Sequence, residues 1–283
     1  MMSTWMRSDS PEAKAYNQPE VVKCEYCGAV LPFEGMRKDG KAIWFKALPC
    51  DCEESQKEQE RLREQAALER LKELRKERAK RIQNVIGETG PSKRFKLRTF
   101  GNFETSPDNE VCYKVAKRYA ERFISLELEK DGERNGLMIT GPCGAGKTHL
   151  AAAIANALID EQIPVIFLNT LDLLDKIKSR YDCHKGASED SVLSVYKTVD
   201  LLVIDDLGKE QPTEWACSKI YQIINARYEE LKPTIITTNY TQAELIDRLT
   251  PKGGDRKTAI ATVDRILEMA YTLPLAGESH RPK

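Results

Sequence analysis

Three short stretches carry residues whose types and spacing suit a polyphosphate. The run Gly141-Pro142-Cys143-Gly144-Ala145-Gly146-Lys147-Thr148, followed by His149, fits G-x-x-x-x-G-K-[ST] without a mismatch. Glycines let a backbone wrap closely around phosphates, and its N–H groups and the positive end of the next helix face the anion. Lys147 is then expected to reach the β- and γ-phosphates, and the Thr148 hydroxyl to ligate Mg²⁺. A second stretch, Leu201 to Ile204, is wholly apolar and closes on Asp205 and Asp206. Asp205 would emerge at the carboxyl edge of a sheet to hold Mg²⁺, and Asp206 would polarise the attacking water. This strand is expected beside the one that feeds the phosphate loop. The third stretch, Thr234 to Thr238, ends on Asn239, where a side-chain amide could bind a water near the γ-phosphate. Together the three predict a site for ATP and Mg²⁺ with a short acidic side chain as base, and hence slow hydrolysis.

A different chemistry is written near the beginning. Cys24-x-x-Cys27 and Cys50-x-Cys52 supply four thiolates in two close pairs, enough for a closed tetrahedral Zn²⁺ site in a module too small for a sufficient core. Disulfides are the alternative, and a reducing compartment disfavours them. The other four cysteines (Cys112, Cys143, Cys183 and Cys217) are scattered singly and read as ordinary buried or partly buried thiols.

The elements that must position these residues follow from composition and period. Residues 1–22 show neither helical nor strand periodicity and read as a flexible tail. Residues 23–53 form the zinc-binding module, β-rich through Val30, Leu31, Phe33, Ile43, Trp44 and Phe45. Residues 54–90 are a charged helical linker, dominated by Glu, Lys, Arg, Gln, Ala and Leu with a thin apolar line through Leu62, Leu71, Leu74 and Ile82. That line is too thin for a coiled-coil seam, so a solvated spacer is expected. Gly87, Gly90 and Pro91 end it, and the basic stretch from Lys93 to Arg98 leads to Phe100 and Phe103, expected to anchor the linker. No DNA-contacting residue is assigned there. From residue 91 to 283 helices alternate with short apolar strands near 136–140, 164–169, 200–204, 234–238 and 271–275. Such strands predict an α/β domain with a buried parallel sheet covered by helices on both faces.

The bulk numbers narrow the function classes. With 44 Lys+Arg against 44 Asp+Glu the net charge is zero, so no global field draws the chain to nucleic acid or a membrane. No run approaches the roughly 20 apolar residues that span a bilayer, and the first residues lack the apolar core of a secretory signal. A soluble cytoplasmic protein is the expectation.

About two-thirds of the chain, from near residue 95 onward, resembles the bacterial replicative helicase loaders of the DnaC/DnaI type and the related IstB-type helper ATPases, within the AAA+ class. The resemblance is carried by the phosphate loop, by Val199–Glu210, by Thr213-Glu214-Trp215 with Asn225-Ala226-Arg227-Tyr228, and by Thr237-Thr238-Asn239. It implies a parallel-sheet P-loop fold, with Asp205 as the Walker B aspartate and Asn239 as sensor 1. It also implies an arginine acting in trans on a neighbour's nucleotide, which nominates Arg265 in Asp264–Met269, with Arg256 as the competing candidate because Pro251–Lys257 is inserted before it. Gly277-x-x-x-Arg281 resembles the family's closing motif and nominates Arg281 as a sensor-2-like residue. Asp206 is one methylene shorter than the glutamate usual in the class.

What the resemblance implies about function is a DNA replication protein that loads a DnaB-type helicase onto single-stranded DNA and assembles with copies of itself through the ATP site. A zinc-bearing N-terminal module resembles the DnaI-type arrangement. The alternatives are a transposition helper that remodels target DNA, and a nucleotide-gated adaptor with little hydrolysis.

Overall fold

The computed structural model of the chain describes residues 4–38, 41–87, 91–124, 134–179 and 189–276. The chain divides into two compact units, residues 1–71 and 72–283.

In the first unit, β1 (Thr4–Arg7), β2 (Phe33–Lys38) and β3 (Lys41–Ala47) form an antiparallel sheet in the order β1-β2-β3. The expectation of a structureless tail over 1–22 is therefore corrected, since Thr4–Arg7 pairs with Glu34–Arg37 and Pro11–Ala15 forms a 3-10 turn. Long-range contacts decide this: Trp5 meets the Phe45 ring at 5.7 Å, and the Trp44 indole N–H donates to the Asn17 carbonyl at 2.6 Å. A single helix, α1, runs Glu53–Ile86.

The unit division falls inside α1 rather than near residue 90, and its cause is visible in the last turns of the helix. Ile82 and Ile86 are buried in the core of the second unit, and Arg78 pairs with Asp200 at 2.5 Å. Leu62 and Leu74, by contrast, are more than half exposed, as a solvated helix requires.

The second unit is built on five parallel strands: β4 (Gly136–Thr140), β5 (Val165–Asn169), β6 (Leu201–Asp205), β7 (Thr234–Thr238) and β8 (Ala270–Pro274). Their order is β5-β6-β7-β4-β8. Strand β6 is thus not a neighbour of β4, contrary to expectation; β7 lies between them. The pleat sends alternate side chains to opposite faces. Leu137, Ile139, Leu201, Val203 and Ile235 enter one core with α2 (Glu110–Ile124) and α3 (Lys147–Asp160). Met138, Leu202, Ile204 and Ile236 enter the other, with α4 (Thr170–Lys178), α5 (Glu189–Thr198), α6 (Glu214–Glu229), α7 (Gln242–Arg248) and α8 (Arg256–Met269). No helix of the described residues is long and apolar enough to cross a membrane.

Arg227, from the Asn225–Tyr228 stretch of α6, holds the amino edge of the sheet together. Fully buried, it donates to the carbonyls of Tyr196, Val199 and Pro233 and to the Thr234 hydroxyl. Burial pushes its guanidinium down to about 9, which still leaves it protonated at neutral pH.

Candidate functional site

Strand β4 delivers the chain at Thr140 into the glycine loop, and α3 begins at Lys147. Two glycines are required by what surrounds them. Gly141 has φ +147°, and a Cβ there would sit 2.1 Å from the carbonyl oxygen of Leu275, whose N–H bonds Thr140. Gly146 caps α3 at φ +97°, with the Phe103 ring 3.0 Å from where its Cβ would be. Lys147 is buried and donates to the carbonyls of Gly141 and Pro142 at 2.9 and 2.7 Å; burial lowers its pKa. The loop therefore stands ready, with its cation folded over it, at the positive end of a 14-residue helix.

The Mg²⁺ candidates converge on one oxygen. Thr148 Oγ1 donates to Asp205 Oδ1 at 2.9 Å and Thr237 Oγ1 donates to the same atom at 2.6 Å. Asp205 is buried, and burial raises its pKa against the lowering effect of these hydroxyls. Thr237 also supports the next residue, since its hydroxyl accepts the Asp206 N–H at 2.9 Å while Leu207 N–H bonds the Thr237 carbonyl. These contacts hold Asp206 in the left-handed region, φ +60°, and turn its carboxylate to the cavity, where Lys209 meets it at 2.5 Å.

That cavity has a volume of about 640 Å³ and is walled by Lys147, Thr148, Asp206, Lys209 and Asn239 together with the segment preceding α2. Arg94, Phe95 and Arg98 reach it from this segment. The anchoring expected of Phe100 and Phe103 is present: both rings pack on Tyr113, and the Asn156 amide donates to the carbonyls of Phe95, Lys96 and Arg98. His149, assigned to the nucleotide from sequence, faces this segment, with Nε2 at 3.1 Å from the Thr99 carbonyl and 3.0 Å from Asn102 Oδ1. Both partners are acceptors, so Nε2 carries the proton. His149 also lines the cavity.

Thr237, Lys209, Arg94 and Arg98 lie in stretches the sequence singled out but without this role, and Asn156 carried no signal. Thr237 opens Thr237-Thr238-Asn239, and Lys209 falls within Val199–Glu210 three residues after Asp206. Arg265 does not line this cavity. Its guanidinium lies over Tyr221 and Tyr228, 5.2 and 5.8 Å from the ring centroids, and its buried Nε has no hydrogen-bond partner among the described residues. Arg256 pairs with Asp247 at 2.6 Å on the surface. Arg281 lies outside the described residues, as does Cys183. Cys112 and Cys217 are buried as expected, but Cys143 is exposed at the cavity.

In the first unit Cys24, Cys27, Cys50 and Cys52 bring their sulfurs within 4.8 Å of one another. The Sγ separations of 3.8 Å (Cys24–Cys52) and 3.4 Å (Cys27–Cys50) are far too long for a disulfide. A tetrahedral site with Zn–S of about 2.3 Å has S···S edges of about 3.8 Å, so the four fit Zn²⁺. Local structure makes the fit: Cys24 sits in a tight turn closed by Gly28 N–H to its carbonyl, and Cys52 lies just before α1. Backbone N–H groups of Cys27 and Tyr26 hold the Cys24 thiol down to about 7, whereas burial and the neighbouring thiols push Cys50 up and Cys52 up to about 12, so the four crowded sulfurs oppose a second thiolate without a cation between them.

The fold and this geometry define a P-loop nucleotide-binding protein of the AAA+ kind, with a parallel sheet flanked by helices. Residues 52–283 match the family described as IstB-like ATP binding protein, and the chain belongs to that family. It is 30% identical over 202 residues to the replicative helicase loader DnaC of Escherichia coli strain K12, spanning 71% of this chain and 77% of that protein. Among solved structures it is similar to the DnaC helicase loader, at TM-score 0.54 and 28% identity over 65% of this chain and all of that one. DnaI is matched at TM-score 0.52 and 25% identity, over 68% of this chain and 94% of that one.

Proposed function

We propose that the chain is a Mg²⁺-dependent ATPase that loads a DnaB-type replicative helicase onto single-stranded DNA in the cytoplasm. The observation that carries the nucleotide half is the meeting of Thr148, Thr237 and Asp205 on one carboxylate oxygen. It ties the phosphate loop to the strand end where Thr148 and Asp205 could hold Mg²⁺. When bound, Mg²⁺ would supply positive charge against the negative charge that develops on the phosphates. Thr148 and Asp205 would hold it, Lys147 would pair with the phosphates, and Asp206 would orient the water with Asn239 nearby. The helicase half is supported by the similarity to DnaC over most of both chains.

In this reading the ATP site is completed by a second copy, whose Arg265 approaches the phosphates from the side. Its packing on two tyrosines would hold that arginine outward from its own cavity. Arg281 would contact the nucleotide in cis. Zn²⁺ on Cys24, Cys27, Cys50 and Cys52 would fix the N-terminal module that grips the helicase.

The test is co-sedimentation of the full chain with the cognate hexameric helicase under ATP, ADP and no nucleotide, alongside turnover with and without single-stranded DNA. Nucleotide-dependent helicase binding and turnover lost in Lys147→Ala are expected; no helicase binding in any condition would overturn the reading. The Asp206–Lys209 pair favours one competing reading, a nucleotide-gated adaptor with little hydrolysis. Helicase binding that follows nucleotide state without turnover would select it.

A further inference from the structure

Lys209 sits three residues after Asp206 in a turn that allows little freedom. The Lys209 N–H bonds the Asp206 carbonyl, Gly208 between them has φ +95°, and the Gly208 N–H is held by the buried Glu210 carboxylate. Asp206 is fixed from the other side by Thr237. Backbone geometry thus places the Lys209 ammonium and the Asp206 carboxylate side by side, 2.5 Å apart, on the wall of the cavity that Lys147 also lines. Neither is buried: the side chains are 39% and 29% exposed. An exposed pair of this kind is weak, worth about 0–1 kcal/mol, and exchanges partners easily.

A stronger anion would win such an exchange. In the reading above, the terminal phosphate of a nucleoside triphosphate would lie near Asp206 and Asn239, on the wall that Lys209 also lines, and a diphosphate would lack that group. We propose that Lys209 is a positioning residue that distinguishes triphosphate from diphosphate. It pairs with Asp206 in the absence of a terminal phosphate and transfers to that phosphate when it is present, which releases the Asp206 carboxylate. The same movement gives the site two states, an Asp206 neutralised by its neighbour and an Asp206 free to act on water. This rests on the nucleotide reading above and names a cation of this chain's own that the reading does not use.

The experiment is calorimetric titration of the full chain with ATP and with ADP, each with Mg²⁺, for wild type, Lys209→Ala and Lys209→Arg. Lys209→Ala is expected to weaken ATP about tenfold, the worth of one charge-assisted hydrogen bond, and ADP less than about twofold. Lys209→Arg keeps a cation at the position and is expected to restore the preference for ATP. An alanine variant whose ATP-to-ADP affinity ratio matches wild type would overturn the proposal while leaving the nucleotide site intact. Equal weakening of both nucleotides would also overturn it, since that marks a general field or a structural role. If the wild type binds neither nucleotide, the underlying reading fails and the proposal with it.

Discussion

Replacing Thr237 with valine keeps the side chain's volume and removes its hydroxyl, and the structure says what that hydroxyl does. Thr237 is fully buried in β7, donates to Asp205 Oδ1 at 2.6 Å and accepts the Asp206 N–H at 2.9 Å. The valine variant loses one hydrogen bond to a carboxylate, worth about 1.5–3 kcal/mol, and leaves a backbone donor short of its partner, at about 1–3 kcal/mol. Relaxation recovers part of this, so the expected destabilisation is about 2–4 kcal/mol. Urea unfolding at pH 7 measures it, and Mg²⁺–ATP affinity is expected to fall in the same variant because Asp205 and Asp206 both lose their support. The effect should shrink in acid: burial raises the Asp205 pKa, and a protonated carboxyl no longer needs the donor. A change below about 0.5 kcal/mol, the range of ordinary surface substitutions, with unaltered nucleotide affinity would refute the reasoning.

Three further outcomes follow from the same geometry. Asp205→Asn should raise Tm at pH 7 while abolishing Mg²⁺-dependent nucleotide binding: a raised folded-state pKa means the stability is present below the ordinary carboxylate value of about 4 and lost as pH rises through the raised one. Its advantage over wild type in thermal melts should therefore vanish towards pH 4 or below. Gly141→Ala should weaken ATP more than about tenfold in equilibrium binding, because its Cβ would meet the Leu275 carbonyl at 2.1 Å and the loop must move. Cys27→Ser should lower the zinc content of purified protein measured by atomic emission, and a chelator should shift the unfolding of the first unit in the wild type; zinc-free protein with unchanged melting would refute the four-thiolate site.

Much of the site was legible before any fold was known, for reasons that lie in local chemistry. A phosphate loop needs its glycines, lysine and threonine at set intervals because one strand-to-helix turn must wrap an anion, so Gly141 to Thr148 carries its purpose in its spacing. The four cysteines that would hold zinc are likewise paired at spacings of two or three residues. The buried strands followed from apolar content, and their observed bounds lie close to the expected ones.

The order of the strands was not legible, because β4, β6 and β7 are all short apolar runs and nothing local says which lies beside which. The tertiary structure put β7 between the other two. That placement makes Thr237, noted in the sequence only as part of Thr237-Thr238-Asn239, the support of both acidic residues. Long-range packing also turned Thr4–Arg7 from tail into strand, assigned the end of α1 to the second unit through Ile82 and Ile86, and carried Arg94 and Arg98 from linker to cavity wall. The sequence by itself marked which groups suit phosphate and metal, since each set is spaced within a short motif of its own. Only the tertiary structure decided which distant residues hold them, since a buried hydroxyl or a linker arginine gains its role from the chain it is folded against.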